Sequence, residues 1–276
     1  MKYTLVAFDL DGTLLDSAKN IPPRNIEALC AAAERGVLLV PATGRLYEGI
    51  PEALRRLPFI RYCICVNGSY LYDAHEARVI YREEVPLPLA LRFYEYMDAF
   101  PVLYDCYQGG TGFMTADMLA RAAEYMPDKG ILNLILTLRQ GVPELKEFLR
   151  QKGESLQKLQ VYYTDLALRA RHLRELPELF PELLFSSSVS NNIEVNHVGA
   201  SKGCGLAALC ALVGTPIESA IAIGDGTNDN SMLSAAGLGI AMGNAPAEVK
   251  AAADCVTAGN NDAGFAAAIE KYILNA

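Results

Sequence analysis

Two carboxylates stand two residues apart at the end of an apolar run, Val6-Ala7-Phe8-Asp9-Leu10-Asp11-Gly12-Thr13-Leu14. Tyr3 to Phe8 reads as a buried strand. Because strand side chains repeat every two residues, Asp9 and Asp11 can both face one point just beyond its end. Gly12 lets the backbone turn there. Two acids so placed make either a site or an Asp-Gly turn beside a solvated neighbour. A Ca²⁺ loop is excluded, since that pattern needs Gly at its sixth position and Glu at its twelfth, where this chain has Leu14 and Asn20.

Three further apolar runs end in polar residues. Val37 to Pro41 leads into Thr43-Gly44-Arg45, Tyr62 to Val66 into Asn67-Gly68-Ser69, and Ala220 to Ile223 into Gly224-Asp225-Gly226-Thr227-Asn228-Asp229. In a parallel sheet such ends converge on one edge, so acids more than two hundred residues apart can meet. A hard divalent ion such as Mg²⁺ suits one or two carboxylates with a backbone carbonyl, waters and a substrate phosphate. Asp225 fits as the second metal carboxylate beside Asp9. Gly224-x-Gly226-x-x-Asp229 lacks the third glycine of a dinucleotide fingerprint, and Asp229 would repel a pyrophosphate. Lys202 begins a helix with Ser201 as its natural N-cap, so an ammonium and free backbone N–H groups share a corner suited to an anion. Thr43 offers a hydroxyl and Gly44 an N–H to phosphate oxygens, or else the pair is a plain strand-to-helix cap.

The elements that must position these residues alternate strand and helix over two stretches, which predicts right-handed crossovers and a parallel sheet. From about Val85 to about Val189 the motifs vanish. Helix patterns (Leu87 to Phe100, Asp117 to Met126, Pro143 to Lys152, Leu166 to Leu179) there alternate with short strand candidates (Val102 to Cys106, Gly112 to Thr115, Leu159 to Tyr163, Leu183 to Ser187). The expected fold class is therefore α/β, a Rossmann-like parallel-sheet core with an inserted α+β cap domain. The expected domains are 1–84 and 190–276 as core and 85–189 as cap.

Composition sets the remaining bounds. The 276 residues can bury a full core, and 51% hydrophobic with 20% charged residues is an ordinary globular balance. A formal net charge of −8 argues against a nucleic-acid or anionic-membrane surface. Seven scattered cysteines without paired Cys-x-x-Cys knuckles point away from zinc and towards a reducing cytoplasm. Asp9 and Asp11 interrupt the N-terminal apolar stretch too early for a signal peptide, and Leu206 to Ile223 is too interrupted for a membrane span.

Asp9-Leu10-Asp11-Gly12-Thr13 resembles the first motif of the haloacid dehalogenase-like (HAD) phosphohydrolases. Thr43-Gly44-Arg45 resembles their second motif, Lys202 the third, and Gly224-Asp225-Gly226-Thr227-Asn228-Asp229 the fourth. Asn67-Gly68-Ser69, Ala200-Ser201-Lys202-Gly203 and Met242-Gly243-Asn244-Ala245 are similar to the Cof-type subgroup, with Ser69 where that subgroup often has Ala. The resemblance implies a cap between the second and third motifs. It further implies a Mg²⁺-dependent phosphomonoester phosphatase acting on small phosphorylated metabolites through an aspartyl-phosphate. In that scheme Asp9 attacks phosphorus, and Asp11 acts as general acid and then base. Thr43, Gly44, Lys202 and Asn228 bind phosphate, while Asp9, Asp225, Asp229 and the backbone carbonyl of Asp11 hold the metal. Asn228 and Asp229 would also orient Lys202 and the metal waters. Asp11 separates the chain from the ATP-driven pumps, which carry Thr at that position.

Arg45 and Asn67 either touch the leaving group or are simply helix-start and turn residues. The alternatives to a phosphatase are a phosphomutase of the phosphomannomutase type and a non-catalytic phosphate-binding regulatory domain. The expected partner is a small phosphorylated substrate, with no nucleic acid and no membrane, and the expected state is a monomer or homodimer in the cytoplasm.

Overall fold

The structure is a computed structural model and describes residues 2–126, 129–187 and 189–275. The chain divides into two compact units, one built from residues up to Arg82 and from Ala200 onward, the other from Glu83–Gly199.

The first unit begins with β1 (Leu5–Phe8), four residues buried without exception. Such a run has no polar face because a parallel strand is covered on both sides. After the helix Pro23–Glu34 comes β2 (Leu38–Pro41), and after two short helical segments, Tyr47–Gly49 and Glu52–Arg55, β3 (Tyr62–Cys65). β3 lies alongside β2 through a parallel bridge from Ala42 to Ile64. It then leads an antiparallel sheet with β4 (Tyr70–Asp73) and β5 (Arg78–Arg82).

The inserted unit is a six-stranded sheet carrying helices. Its strands are β6 (Val102–Gln108), β7 (Thr111–Thr115), β8 (Arg139–Val142), β9 (Lys158–Tyr163), β10 (Leu183–Ser186) and β11 (Asn192–His197), in the order β10-β11-β9-β6-β7-β8. The helix Leu166–Leu179 has the expected bounds, whereas the single helix expected over Asp117 to Met126 is two, Ala116–Ala120 and Ala122–Tyr125. β8 and the helix Lys129–Leu138 before it are additions to the expected elements. The boundary expected at 189 shifts as well. β11 pairs antiparallel with β9 and β10, so the unit runs on to Gly199 rather than giving way to the core at 190.

Back in the first unit, the helix Lys202–Val213 is capped by the Ser201 hydroxyl, which accepts from the Cys204 amide at 3.1 Å. Gly214 stops it in the left-handed conformation. Then follow β12 (Ala220–Gly224), β13 (Leu238–Ala241) and the short β14 (Cys255–Val256). The main sheet has the order β14-β13-β12-β1-β2, and every pairing in it is parallel. β1 therefore sits between β2 and β12, with Phe8 level with Pro41 on one side and Ile223 on the other. Chain positions 9, 42 and 224 thus leave the sheet side by side.

Candidate active site

Asp9 is the first residue past β1. Its amide still donates to the Ile223 carbonyl at 2.9 Å, so the carboxylate projects from a position locked to β12. The helix starting at Lys202 brings an ammonium to the same point. Lys202 Nζ lies 2.6 Å from Asp9 Oδ1 and 2.5 Å from Asp229 Oδ1, and its side chain is fully buried. Asp229 is equally buried, and its Oδ2 accepts the amides of Asp225 and Gly226 at 2.9 and 2.8 Å. One carboxylate thereby folds the loop after β12 back on itself and holds Lys202.

Asp225 completes the group. One oxygen from each of Asp9, Asp225 and Asp229 lies within 4.8 Å of the others. Asp225 Oδ1 accepts from the Thr13 hydroxyl at 3.0 Å, and Asn244 Nδ2 donates both to Asp225 Oδ2 at 3.1 Å and to the Gly12 carbonyl at 2.9 Å. Gly12 is required here on two counts. Its φ of +82° belongs to glycine, and a Cβ would fall 2.2 Å from Asp225 Oδ2.

The electrostatics follow from three carboxylates around one ammonium. Burial pushes the Asp9 carboxyl up to about 8; the Lys202 charge opposes this, and repulsion from Asp229 and Asp225 adds to it. Burial, then repulsion from Asp229, raises Asp225 to about 6 against the Thr13 hydrogen bond. For Lys202, burial alone would favour the neutral amine, but attraction to Asp229 and Asp9 outweighs it and holds the ammonium above the ordinary lysine range. The cluster carries more negative than positive charge, and its donors are all hard oxygens, so it fits a divalent cation of the Mg²⁺ kind.

Asp11 stands apart from this group. Arg45 grips it as a fork, Nε to Oδ2 at 2.8 Å and Nη2 to Oδ1 at 2.7 Å, and Lys19 Nζ adds a contact at 2.7 Å. Burial would raise the Asp11 carboxyl, yet the bonds and charge of Arg45 and then Lys19 prevail, keeping it below the usual carboxylate range. Arg45, expected either at a leaving group or as a helix-start residue, pairs with Asp11 in this structure. Its Nη1 also donates to the Gly49 carbonyl at 2.8 Å.

The Thr43 hydroxyl accepts from the Arg45 amide at 3.2 Å, as a cap would, and the residue is buried. Gly44 sits against Asn67, whose Oδ1 would be 3.0 Å from a Cβ at position 44. Asn67 Oδ1 in turn accepts from Asn228 Nδ2 at 3.1 Å. The sequence-based site residues from the loops after β1, β2, β3 and β12 thus lie on one edge of the first unit. Three contributors were not foreseen. Thr13 and Asn244 lie inside stretches already singled out, but Lys19 follows a turn that nothing in the strand-end pattern marks.

A family model described as haloacid dehalogenase-like hydrolase matches residues 6–269. The chain is 32% identical to the pyridoxal phosphate phosphatase YbhA of Escherichia coli (strain K12), over 99% of this chain and all of that protein. Among solved structures, a haloacid dehalogenase-like hydrolase from Bacteroides thetaiotaomicron superposes with a TM-score of 0.80 at 30% identity, covering 98% of this chain and 99% of that one. A HAD subclass IIB sugar phosphatase superposes with a TM-score of 0.81 at 25% identity, covering 98% of each chain. With matches that run the length of the chain and a site assembled at the strand ends where the motifs fall, this protein belongs to the haloacid dehalogenase-like hydrolases, in their Cof-type subgroup.

Proposed function

We propose that the chain is a Mg²⁺-dependent phosphomonoester phosphatase for small phosphorylated metabolites, working through an aspartyl-phosphate on Asp9. The observation that carries this reading is the buried Lys202 ammonium bridging Asp9 and Asp229 with Asp225 beside them. Such a cluster is costly to bury unless it serves a reaction or a cation.

Asp9, Asp225 and Asp229 would hold the metal together with the Asp11 backbone carbonyl, and a bound divalent cation supplies charge neutralisation for the phosphoryl oxygens. Asp9 attacks phosphorus, the ester oxygen leaves, and water then cleaves the acyl phosphate to return the carboxylate and release phosphate. Lys202 keeps the nucleophile oriented and, with Thr43, the Gly44 amide and Asn228, meets the equatorial oxygens as charge shifts onto them. Asp11 serves as acid for the leaving oxygen and as base for the water. The Arg45 fork holds Asp11 ionised, the form needed to deprotonate that water, so the acid step requires the fork to open first.

The relatives' substrates, pyridoxal phosphate and sugar phosphates, head the panel on which the proposal is tested. Seven unpaired cysteines suit a cytoplasmic setting. Among the described residues no helix is long and apolar enough to cross a membrane. The test is release of inorganic phosphate from that panel and from p-nitrophenyl phosphate, with Mg²⁺ and then with EDTA. Metal-dependent release supports the reading. Release unaffected by EDTA, or none from any phosphomonoester, overturns it.

A further inference from the structure

Immediately after β3 the chain does something costly. Val66, Asn67 and Gly68 take three successive left-handed conformations, with φ of 49°, 56° and 94°. Asn and Gly tolerate that region, but a β-branched valine is a true outlier in it. Backbone strain of this kind persists only where surrounding contacts over-determine it, and it concentrates at functional sites.

The contacts here reach the loops after β2 and β12 and the start of the helix that carries Lys202. The Val66 amide donates to the Arg45 carbonyl and the Asn67 amide to the Thr43 carbonyl, each at 3.0 Å. Gly68 abuts the Ser201 carbonyl so closely that a Cβ would fall 2.1 Å from it, at the start of the helix that carries Lys202. The Asn67 side chain, itself buried, accepts from Asn228 Nδ2 at 3.1 Å, in the loop that carries Asp225 and Asp229.

From this we infer that Asn67 is a positioning residue. Through its carboxamide oxygen it fixes Asn228, and with it the loop after β12, against the Thr43-Gly44 loop. The inference rests on the phosphatase reading for its chemistry, because what it positions are the groups that meet a phosphoryl oxyanion. It explains why the strained turn is kept: a relaxed turn would carry the Asn67 side chain away from Asn228.

The test uses the full chain and the variants N67G, N228A and the double variant. Glycine adopts the left-handed conformation freely, so N67G removes the carboxamide without disturbing the turn. Each single variant should lower kcat on p-nitrophenyl phosphate by about 10-fold to 100-fold, the usual cost of losing a partner that orients a site group. The double variant should be no slower than the worse single one, since two residues acting as a unit are not additive. The melting temperature of N67G should stay at that of the parent, and its affinity for inorganic phosphate, read by calorimetry with Mg²⁺, should fall in step with that of N228A. Parental kcat in N67G, or losses that multiply in the double variant, overturn the inference. D9N separates the two levels. If D9N is inactive while N67G is unimpaired, the inference fails and the phosphatase reading stands. A parent protein that neither hydrolyses a phosphomonoester nor binds phosphate overturns both.

Discussion

An ammonium without solvent contact survives only if its charge is answered at close range, and Lys202 is answered by two carboxylates. Removing it leaves Asp9, Asp225 and Asp229 facing one another with no cation from the chain. The variant K202M is therefore expected to lose activity and to be destabilised by about 3–5 kcal/mol, the cost of breaking a buried pair by removing one partner; denaturant titration without Mg²⁺ measures it. Much of that loss should return when Mg²⁺ is added. Arg45 offers a contrasting case at the surface of the site. R45Q removes the fork from Asp11, so the Asp11 carboxyl should rise towards its ordinary value. The basic limb of the kcat/KM profile, which reports Asp11 as the acid of the first step, should then move to higher pH, and an unmoved limb would show that Asp11 does not govern it. Asp9, Asp11 and Asp225 were legible in the sequence because each follows a run of buried residues, and Lys202 because Ser201 marks the start of its helix. The Arg45 fork was not, since nothing in Thr43-Gly44-Arg45 says which way a long flexible side chain turns.

At the scale of elements, the strands that carry the site were legible because a strand covered on both faces is an unbroken apolar run. Leu5–Phe8, Leu38–Pro41 and Ala220–Gly224 all have that character. The inserted sheet is built differently. Along β11, Ile193 and Val195 join the apolar core, while Asn192, Glu194 and Asn196 alternate with them and are buried as well. The period-two signal was present in Asn-Ile-Glu-Val-Asn-His, but its polar half left no continuous apolar run to mark it as a strand of the cap. β8 is harder still. Arg139, at its start, is buried in an ion pair with Asp105 at 2.7 Å, a partner that no local pattern supplies. Asp105 also accepts from the Tyr162 hydroxyl at 3.0 Å, so the pair pins three strands of the sheet together. R139M is expected to cost about 3–5 kcal/mol in denaturant titration because it strands a buried carboxylate. The double variant R139M/D105L should recover most of that loss, as an apolar pair of similar volume replaces both charges. A double variant as unstable as the single one would mean that the pair does more than neutralise itself.

For the whole molecule, the division into two units was legible from the disappearance of strand-end motifs after β5. The exact return was not, because a sheet can recruit a strand from beyond the last recognisable helix. Asp9 and Asp225 have native values of about 8 and about 6, both above the 3.8 of an ordinary aspartate. Between those limits the folded metal-free chain binds more protons than the unfolded one, so these groups make stability fall as pH rises from about 4 to about 8. In the proposed metal site Mg²⁺ would compete with those protons for the ionised cluster. Thermal unfolding should therefore show a larger Mg²⁺-induced rise in melting temperature at pH 8 than at pH 5, and equal rises would contradict a carboxylate-held ion.

The claim on which all of this depends is that the Asp9 carboxylate becomes phosphorylated during turnover. Rapid mixing of the protein with substrate and Mg²⁺, quenching in acid and peptide mass analysis tests it directly. A transient phosphoryl group on the peptide containing Asp9, appearing before steady-state phosphate release and missing in D9N, is the predicted result. A phosphoryl group found on another residue, or a D9N protein that still turns over, would contradict it.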